Sequence, residues 1–403
     1  MEWQVKKLGD VCRLINGRAY KKHEMLSEGK YPLLRVGNFF SNRSWYYSDL
    51  ELDDDKYCDK GDLLYAWSAS FGPRIWDGSK VIYHYHIWKI ELNHGLVDKK
   101  YLFHLLDWDT EQIKAEQGTG STMLHVTKGA MENRLLPFPT ISEQKHIVVI
   151  LNEVFADIEQ ARTKTEQNLK NARELFESYL QQVFSQRGEG WESMTLSQAT
   201  GGVYTGPFGS LLHKSDYIEN GVPLVNPAHI TSVGVEPDLR KTISEETAQR
   251  LKSYVMSEGD IVIARRGEMG RCALVTSKEE GYLCGTGSFF IKSSDRVLGD
   301  YLVRYLRSAA GKKRLEQIAS GAVMLNLSNA ELSNFSLYFP PVDKQKEIVR
   351  EIGEVSEKIE AMALVYQEKL LALDELKKSI LQKAFSGELT KTSDNKTKQG
   401  ALA

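Results

Sequence analysis

Arginine, asparagine and glutamate are the side chains that pair with base edges, and in this chain they gather in a few short segments. ARRGEMGRC holds Arg265, Arg266, Glu268 and Arg271; NPAHI holds Asn226 and His229; GTGS holds Thr286 and Ser288; TGPFGS ends on Ser210. Nearer the start, Arg18, Lys21 and Lys22 flank Tyr20, Arg35 and Asn38 close YPLLRVGN, and Arg74 follows the serines of WSASFGP, Ser68 and Ser70. Arginine bonds bidentately to guanine, asparagine to adenine and glutamate to cytosine N4, each pair discriminating by about 1–3 kcal/mol. The competing reading of any one of these residues is a solvated loop with ordinary ion pairs.

Covalent chemistry finds no comparable constellation. There is no GxxxxGK[ST] phosphate loop, no HExxH zinc pair and no GxSxG nucleophile elbow. His84 and His86 in HYHIW share one strand face, yet no third ligand stands near them in sequence, so ordinary packing is the expectation. Asn226–His229 partly matches the Asn/Asp-Pro-Pro-aromatic loop with which amino-methyltransferases grip a flipped base. It lacks the second proline and the aromatic residue, and no glycine-rich S-adenosylmethionine loop precedes it. No catalytic site, cofactor or metal is therefore expected on this chain. A net charge of −2 does not by itself point to nucleic acid, whose dedicated binders usually carry a basic excess.

The elements that must position these segments are written twice. FPTISEQKHIVVIL from Phe138 returns as FPPVDKQKEIVREI from Phe339, and the same offset of 201 holds without a gap from Leu136/Leu337 to Ser185/Ser386. Duplication of a large unit follows. Each copy reads as a long helix with Ser142 or Asp343 as candidate N-cap, and a helix of about 43 residues spans roughly 65 Å. One seam position recurs every seven residues as Leu151, Ile158, Thr165, Ala172 and Tyr179, matched by Ile352, Ile359, Tyr366, Leu373 and Ile380. A second runs Ile147, Val154, Ala161, Asn168 and Leu175 beside Ile348, Val355, Met362, Lys369 and Leu376, with Asn168 and Lys369 as polar, register-setting breaks. Antiparallel pairing of the two helices is the expectation; two separate dimerisation stalks in a homodimer are the alternative.

Ahead of each helix lies a block whose echoes are weaker: GDLLYAWSAS against GDIVIARRGE, and YLFHLL against YLVRYL. Runs such as YPLLRV, DLLYAW, VIYHYHIW, GVPLV and DIVIA read as strands, and Tyr101–Gln117 and Tyr301–Ile318 as helices. The expected organisation is a duplicated α/β (α+β) domain at 1–141 and 187–342, spacer helices at 142–186 and 343–386, and a polar, disordered tail at 387–403. The four cysteines are scattered and read as buried free thiols. No apolar run approaches the roughly 20 residues of a membrane span and the N-terminus lacks an apolar signal core, so a soluble cytoplasmic protein is expected.

Taken together, YPLLRVGNF, TGPFGSLLHKSDY with GVPLVNPAHI, GDIVIARRGEMGRCALV and the paired FPxxxxQKxIV helix entries resemble the specificity subunits of type I restriction-modification systems over essentially the whole chain. The resemblance implies two target-recognition domains, each reading half of a split double-stranded DNA sequence, and an antiparallel helix pair acting as a ruler for the spacer. It also implies two modification subunits that bind S-adenosylmethionine and methylate adenine at N6, and two restriction subunits that use ATP and Mg to translocate and cleave. Catalysis would then belong to partners. Gln144, Lys145, Gln345 and Lys346, near the helix starts, are the candidate partner contacts. The alternative from another class is an interaction scaffold with two binding modules on a coiled-coil stalk and no DNA role.

Overall fold

The Gly-Asp pair that both blocks share is a turn that launches the central strand. Gly61 and Gly259 adopt φ of +93° and +88°, a region that favours glycine. The following carboxylates, of Asp62 and Asp260, each accept the N–H three residues earlier, from Asp59 and Ser257, at 2.9 Å. A computed structural model of the chain describes residues 3–41, 44–68, 70–117, 125–321 and 324–390, without the side chains of Gln117 and Ser210. Packing divides it into two units, Met1–Thr165 with Glu368–Ala403, and Glu166–Gln367.

In the first unit the central sheet runs Cys12–Asn16, Ile87–Leu92, Leu63–Ser68, Ser70–Ile75, antiparallel throughout. Its strand LLYAWS is apolar on both faces because both are covered. Leu63 and Tyr65 pack with Tyr101, Leu102, Leu105 and Leu106 of the helix Lys99–Gln117, while Leu64 and Ala66 pack with Leu34, Trp76, Val81 and Tyr83. The second unit repeats the order as Val203–Thr205, Ser288–Ile291, Ile261–Ala264, Cys272–Leu274. Ile261 and Ile263 face its helices, and Val262 and Ala264 face the opposite core. Both units also hold a parallel strand pair, Tyr31–Leu34 with Val81–Tyr83 and Leu224–Val225 with Leu283–Cys284. The fold is thus duplicated α/β, as the sequence echoes suggested. One helix differs from expectation: Tyr301–Ile318 is broken into Gly299–Arg307 and Ala309–Ile318, because Ser308 is extended and its Oγ caps the N–H of Gly311 at 3.1 Å.

The long helices are Ile141–Ser185 and Val342–Phe385. Ser142 and Asp343 lie inside the first turn, so the expected N-caps are corrected. The capping residue is Thr140, whose Oγ1 accepts the Glu143 N–H at 3.3 Å, and Pro341 holds the matching place in the second copy. In the first unit Ile147, Val148 and Leu151 share a core with Leu381, Ala384 and Phe385, and Arg162 pairs with Asp374. In the second, Leu180, Val183 and Phe184 share one with Ile348 and Ile352. Start meets end in both units, so the helices pair antiparallel within the chain, and each such core leucine or phenylalanine contributes roughly 1.5–3 kcal/mol.

The first seam faces inward as expected, with Leu151, Ile158, Thr165, Ala172 and Ile352 buried. The second holds only at its start, where Ile147 and Ile348 are buried, and then turns outward. Leu175 is 65% exposed, Met362 and Leu376 are exposed, and Lys369 is exposed and sets no register. Inward places are taken by residues four after the first seam, including Phe155, Leu169, Phe176 and Val183 on one helix and Ala363, Leu370 and Ala384 on the other. Straight helices drift from a strict seven-residue period, so three-after gives way to four-after.

Past the second helix, Gly387 turns the chain and Leu389 packs on the first unit's core. Thr390 Oγ1 and Trp3 Nε1 both donate to Glu143 Oε1 at 3.1 Å. The tail therefore starts ordered, contrary to expectation for 387–390; residues 391–403 lie outside the described residues.

Candidate nucleic-acid interface

Arg35 and Asn226 stand at the same point of the two units. Each directly follows the first strand of a parallel pair, and each is the N-cap of a short helical turn, Val36–Phe40 in one unit and Pro227–His229 in the other.

In the first unit Arg35 is exposed, its guanidinium 5.2 Å from the Tyr46 ring centroid. Beside it lies the tip of the hairpin joining Val81–Tyr83 to Ile87–Leu92, formed by His84, Tyr85 and His86. Arg18 is stitched to this tip by its backbone: its N–H donates to the Tyr83 carbonyl and its carbonyl accepts from Tyr85, both at 3.1 Å. Its guanidinium forks onto Glu24 at 3.1 and 2.7 Å and sits 5.2 Å from the Tyr20 ring. That fork, helped by the Lys21 N–H, holds the Glu24 carboxyl down to about 2. Burial, then the neighbouring His86 and Arg35, push His84 down to about 4, so its imidazole is neutral at physiological pH. Lys21 and Lys22 are exposed at the rim. The fold thus gathers Arg18, Tyr20 and Arg35 around His84, a residue whose sequence signal pointed instead to metal or packing.

Asn38, Ser68, Ser70 and Arg74 form no part of that cluster. Asn38 is buried, its Nδ2 donating to the Ser44 carbonyl at 3.3 Å, and Ser68 is buried opposite His125. Arg74 bonds the Phe39 carbonyl and Asp77, and its guanidinium covers Trp76 at 5.4 Å. Ser70 is exposed.

In the second unit Arg271 joins the two predicted segments, its Nη1 donating to the Pro227 carbonyl at 3.4 Å and its Nη2 to Glu268 at 3.1 Å. Lys312 at 2.9 Å, then Arg271, lower the Glu268 carboxyl. His229 Nδ1 donates to the Leu224 carbonyl at 2.8 Å, which orients the ring, and Asn226 fits against Gly285, where a Cβ would stand 2.3 Å from Oδ1. Arg265 lies apart, its Nε donating to the Leu327 carbonyl at 3.1 Å, while Arg266 is exposed and has no side-chain hydrogen bond among the described residues. Thr286 donates to the Pro207 carbonyl at 2.7 Å. Ser288 is corrected: it is buried in the central strand, its Oγ without a partner among the described residues. The Ser210 side chain lies outside the described residues.

Gln144 and Gln345 require the largest correction, because both are fully buried and cannot meet a partner. Gln144 Oε1 accepts the Asp98 N–H at 2.8 Å while its Nε2 donates to the carbonyls of Leu96 and Pro139 at 3.0 and 2.9 Å. Gln345 repeats this with the Leu298 N–H at 2.9 Å and the carbonyls of Arg296 and Pro340 at 2.8 and 2.9 Å. Each satisfies three buried backbone groups where sheet, helix and rod converge. Lys145 and Lys346 do remain exposed.

Exposed aromatics are what sequence reasoning missed. Tyr46 and Tyr85 stand in the first cluster, where Trp67 Nε1 donates to the Tyr85 carbonyl at 2.8 Å. Tyr204 and Phe208, the latter 60% exposed, stand in the second unit. For Tyr85 and Phe208 the signal available was their place in HYHIW and TGPFG; Tyr46 and Tyr204 lie in the strands Tyr46–Ser48 and Val203–Thr205. All four cysteines are buried and unpaired. Among the described residues no cluster of three or more His, Cys, Asp or Glu is placed to hold a metal, and no helix is long and apolar enough to cross a membrane.

Two α/β units of one topology, bearing different polar and aromatic surfaces and tied by a shared pair of long helices, define a duplicated recognition protein. A family model described as the type I restriction modification DNA specificity domain matches residues 1–168 and again 207–368, and the chain belongs to that family. It is 22% identical to the Escherichia coli type I restriction enzyme EcoBI specificity subunit, over 96% of this chain and 86% of that one. The MjaVIII specificity subunit of Methanocaldococcus jannaschii is 25% identical, over 96% and 93%. Among solved structures, a chain from work on complex assembly and conformational transition of the type I R-M system superposes with a TM-score of 0.74 at 21% identity, over 96% of this chain and 98% of that one. The HsdS subunit from Thermoanaerobacter tengcongensis gives 0.57 at 21%, over 96% and 97%.

Proposed function

We propose that this chain is the address reader of a type I restriction-modification complex. Each unit reads one half of a split target in double-stranded DNA, and the paired helices set the interval between halves. The observation that carries this reading is the equivalence of Arg35 and Asn226: one scaffold position, at the end of a parallel strand, holds a guanine-type reader in one unit and an adenine-type reader in the other. Two modification subunits would dock once per half and methylate adenine N6 on opposite strands. They would bring S-adenosylmethionine, and restriction subunits would bring ATP and Mg. Phosphate contacts from those partners fit the chain's weak net charge.

Copurification with the modification subunit and mapping of N6-methyladenine in host DNA tests the reading. A bipartite methylated motif with a fixed gap is expected; a complex that neither binds nor methylates DNA would leave the scaffold alternative. Inserting one heptad at corresponding places in both long helices is expected to lengthen them by about 10 Å and widen the permitted gap by roughly three base pairs. An unchanged gap refutes the ruler.

A further inference from the structure

Two aromatic side chains of the first unit have serines as counterparts in the second. Phe155 corresponds to Ser356 under the offset of 201 along the long helices, and Trp108 to Ser308 under the offset of 200 that aligns YLFHLL with YLVRYL. In the first unit Phe155 packs edge-on against His104, centroids 5.5 Å apart, with Lys377 Nζ 5.3 Å from its ring. Trp108 tilts onto Phe385 at 5.6 Å. In the second unit a cavity of about 680 Å³ lies against both serines, with Phe176, Leu180, Val303 and Ile352 as its apolar wall. Asn152 has Gly353 as its counterpart, where a Cβ would meet nothing within 4 Å. The first unit narrows this place with its own rings, leaving a cavity of about 320 Å³ against Trp108, Gln112, Lys378 and Leu381; the second leaves about twice that volume.

The charge at the opening changes in both directions. His104 and Asp107 become Arg304 and Arg307, while Lys100 and Lys378 give way to Asp300 and Glu177. Arg307 is committed to the backbone, donating to the carbonyls of Thr231, Ser232 and Cys272. Arg271 and Lys312 share Glu268. Arg304 is different: its Nε is buried without a hydrogen bond among the described residues, Asp300 Oδ1 standing 3.2 Å away but out of line with the N–H. A guanidinium with an unused donor beside an apolar slot suits an aromatic ring that carries a carboxylate near it, by cation–π contact and a charge-assisted hydrogen bond.

We propose that this cavity receives one aromatic side chain, flanked by a carboxylate, from one of the two modification subunits, so that two identical partners bind the duplicated frame unequally. This rests on the functional reading above and adds to it the side on which the tighter partner sits. The first unit narrows the equivalent place with Phe155 and Trp108 to about 320 Å³, so the second offers the ring the wider berth.

Ser356→Phe combined with Ser308→Trp gives the second unit the residues of the first. In the full chain coexpressed with the modification subunit, native mass spectrometry across a dilution series is expected to show one copy released at least tenfold more readily than in the unaltered complex, and the other unchanged. Arg304→Ala leaves the cavity open and removes the donor; it is expected to weaken the same copy about three- to tenfold, and it serves if the double variant does not fold. Retention of both copies at unaltered affinity in either folded variant overturns the pocket. An unaltered chain that captures no modification subunit overturns instead the reading beneath it, before any variant is made.

Discussion

Gln144 and Gln345 do identical work in the two units, whereas Arg35 and Asn226, at an equally matched place, present different chemistry. The first pair is fully buried and closes three backbone groups, so any other side chain leaves those groups unpaired; in the second pair Arg35 is exposed and Asn226 half-buried against Gly285, and neither closes such a set. What the duplication keeps is what packing cannot spare. What it varies is what a target can read.

The comparison breaks most visibly at Gln345. Gln345→Leu strands the Leu298 N–H and the carbonyls of Arg296 and Pro340, and is expected to cost about 3 kcal/mol, confined to the second unit. Hydrogen exchange that loosens both units equally would show that they are not independent. A smaller effect is expected at Arg266, exposed and untied. Arg266→Ala is expected to relax one half-site by about 1–3 kcal/mol without lowering Tm. Arg265→Ala, by contrast, releases the Leu327 carbonyl and is expected to lower Tm as well; methylation mapping with thermal melts separates the two.

The smallest effect is one of pH, and it too divides the units. His84 and His104 are both held near 4 in the folded first unit, mainly by burial, against an ordinary value of 6.5. Between those values the unfolded chain binds more protons, so the first unit loses stability as pH falls from about 6.5 toward 4 and recovers it as pH rises. Acid melts followed by exchange are expected to show the first unit opening earlier. His84→Phe with His104→Phe is expected to remove most of that dependence, leaving the part due to His86, which burial also lowers.

The two blocks, their strands and the long helices were legible because apolar period and repeat are local properties of the chain. The caps were not. FPTIS offers both Thr140 and Ser142, and the choice follows from where Leu135–Phe138 ends its pairing with Gln4–Lys7. Half of the site was likewise hidden. Asn38, Ser68 and Ser288 have the right chemistry for base contact, yet all three are buried, while Tyr85 and Phe208, exposed, gave no signal beyond their loops.

By itself the sequence determined that the fold is doubled, that each copy carries a long helix with an apolar seam to be covered, and that no GxxxxGK[ST], HExxH or GxSxG motif is written into the chain. Tertiary structure alone decided which polar residues face out, that the paired glutamines lock the frame, and that one unit leaves wide a cavity the other narrows. The reason is physical. Periodicity arises between neighbours in sequence, whereas burial and the satisfaction of a backbone carbonyl depend on which distant segment arrives beside it.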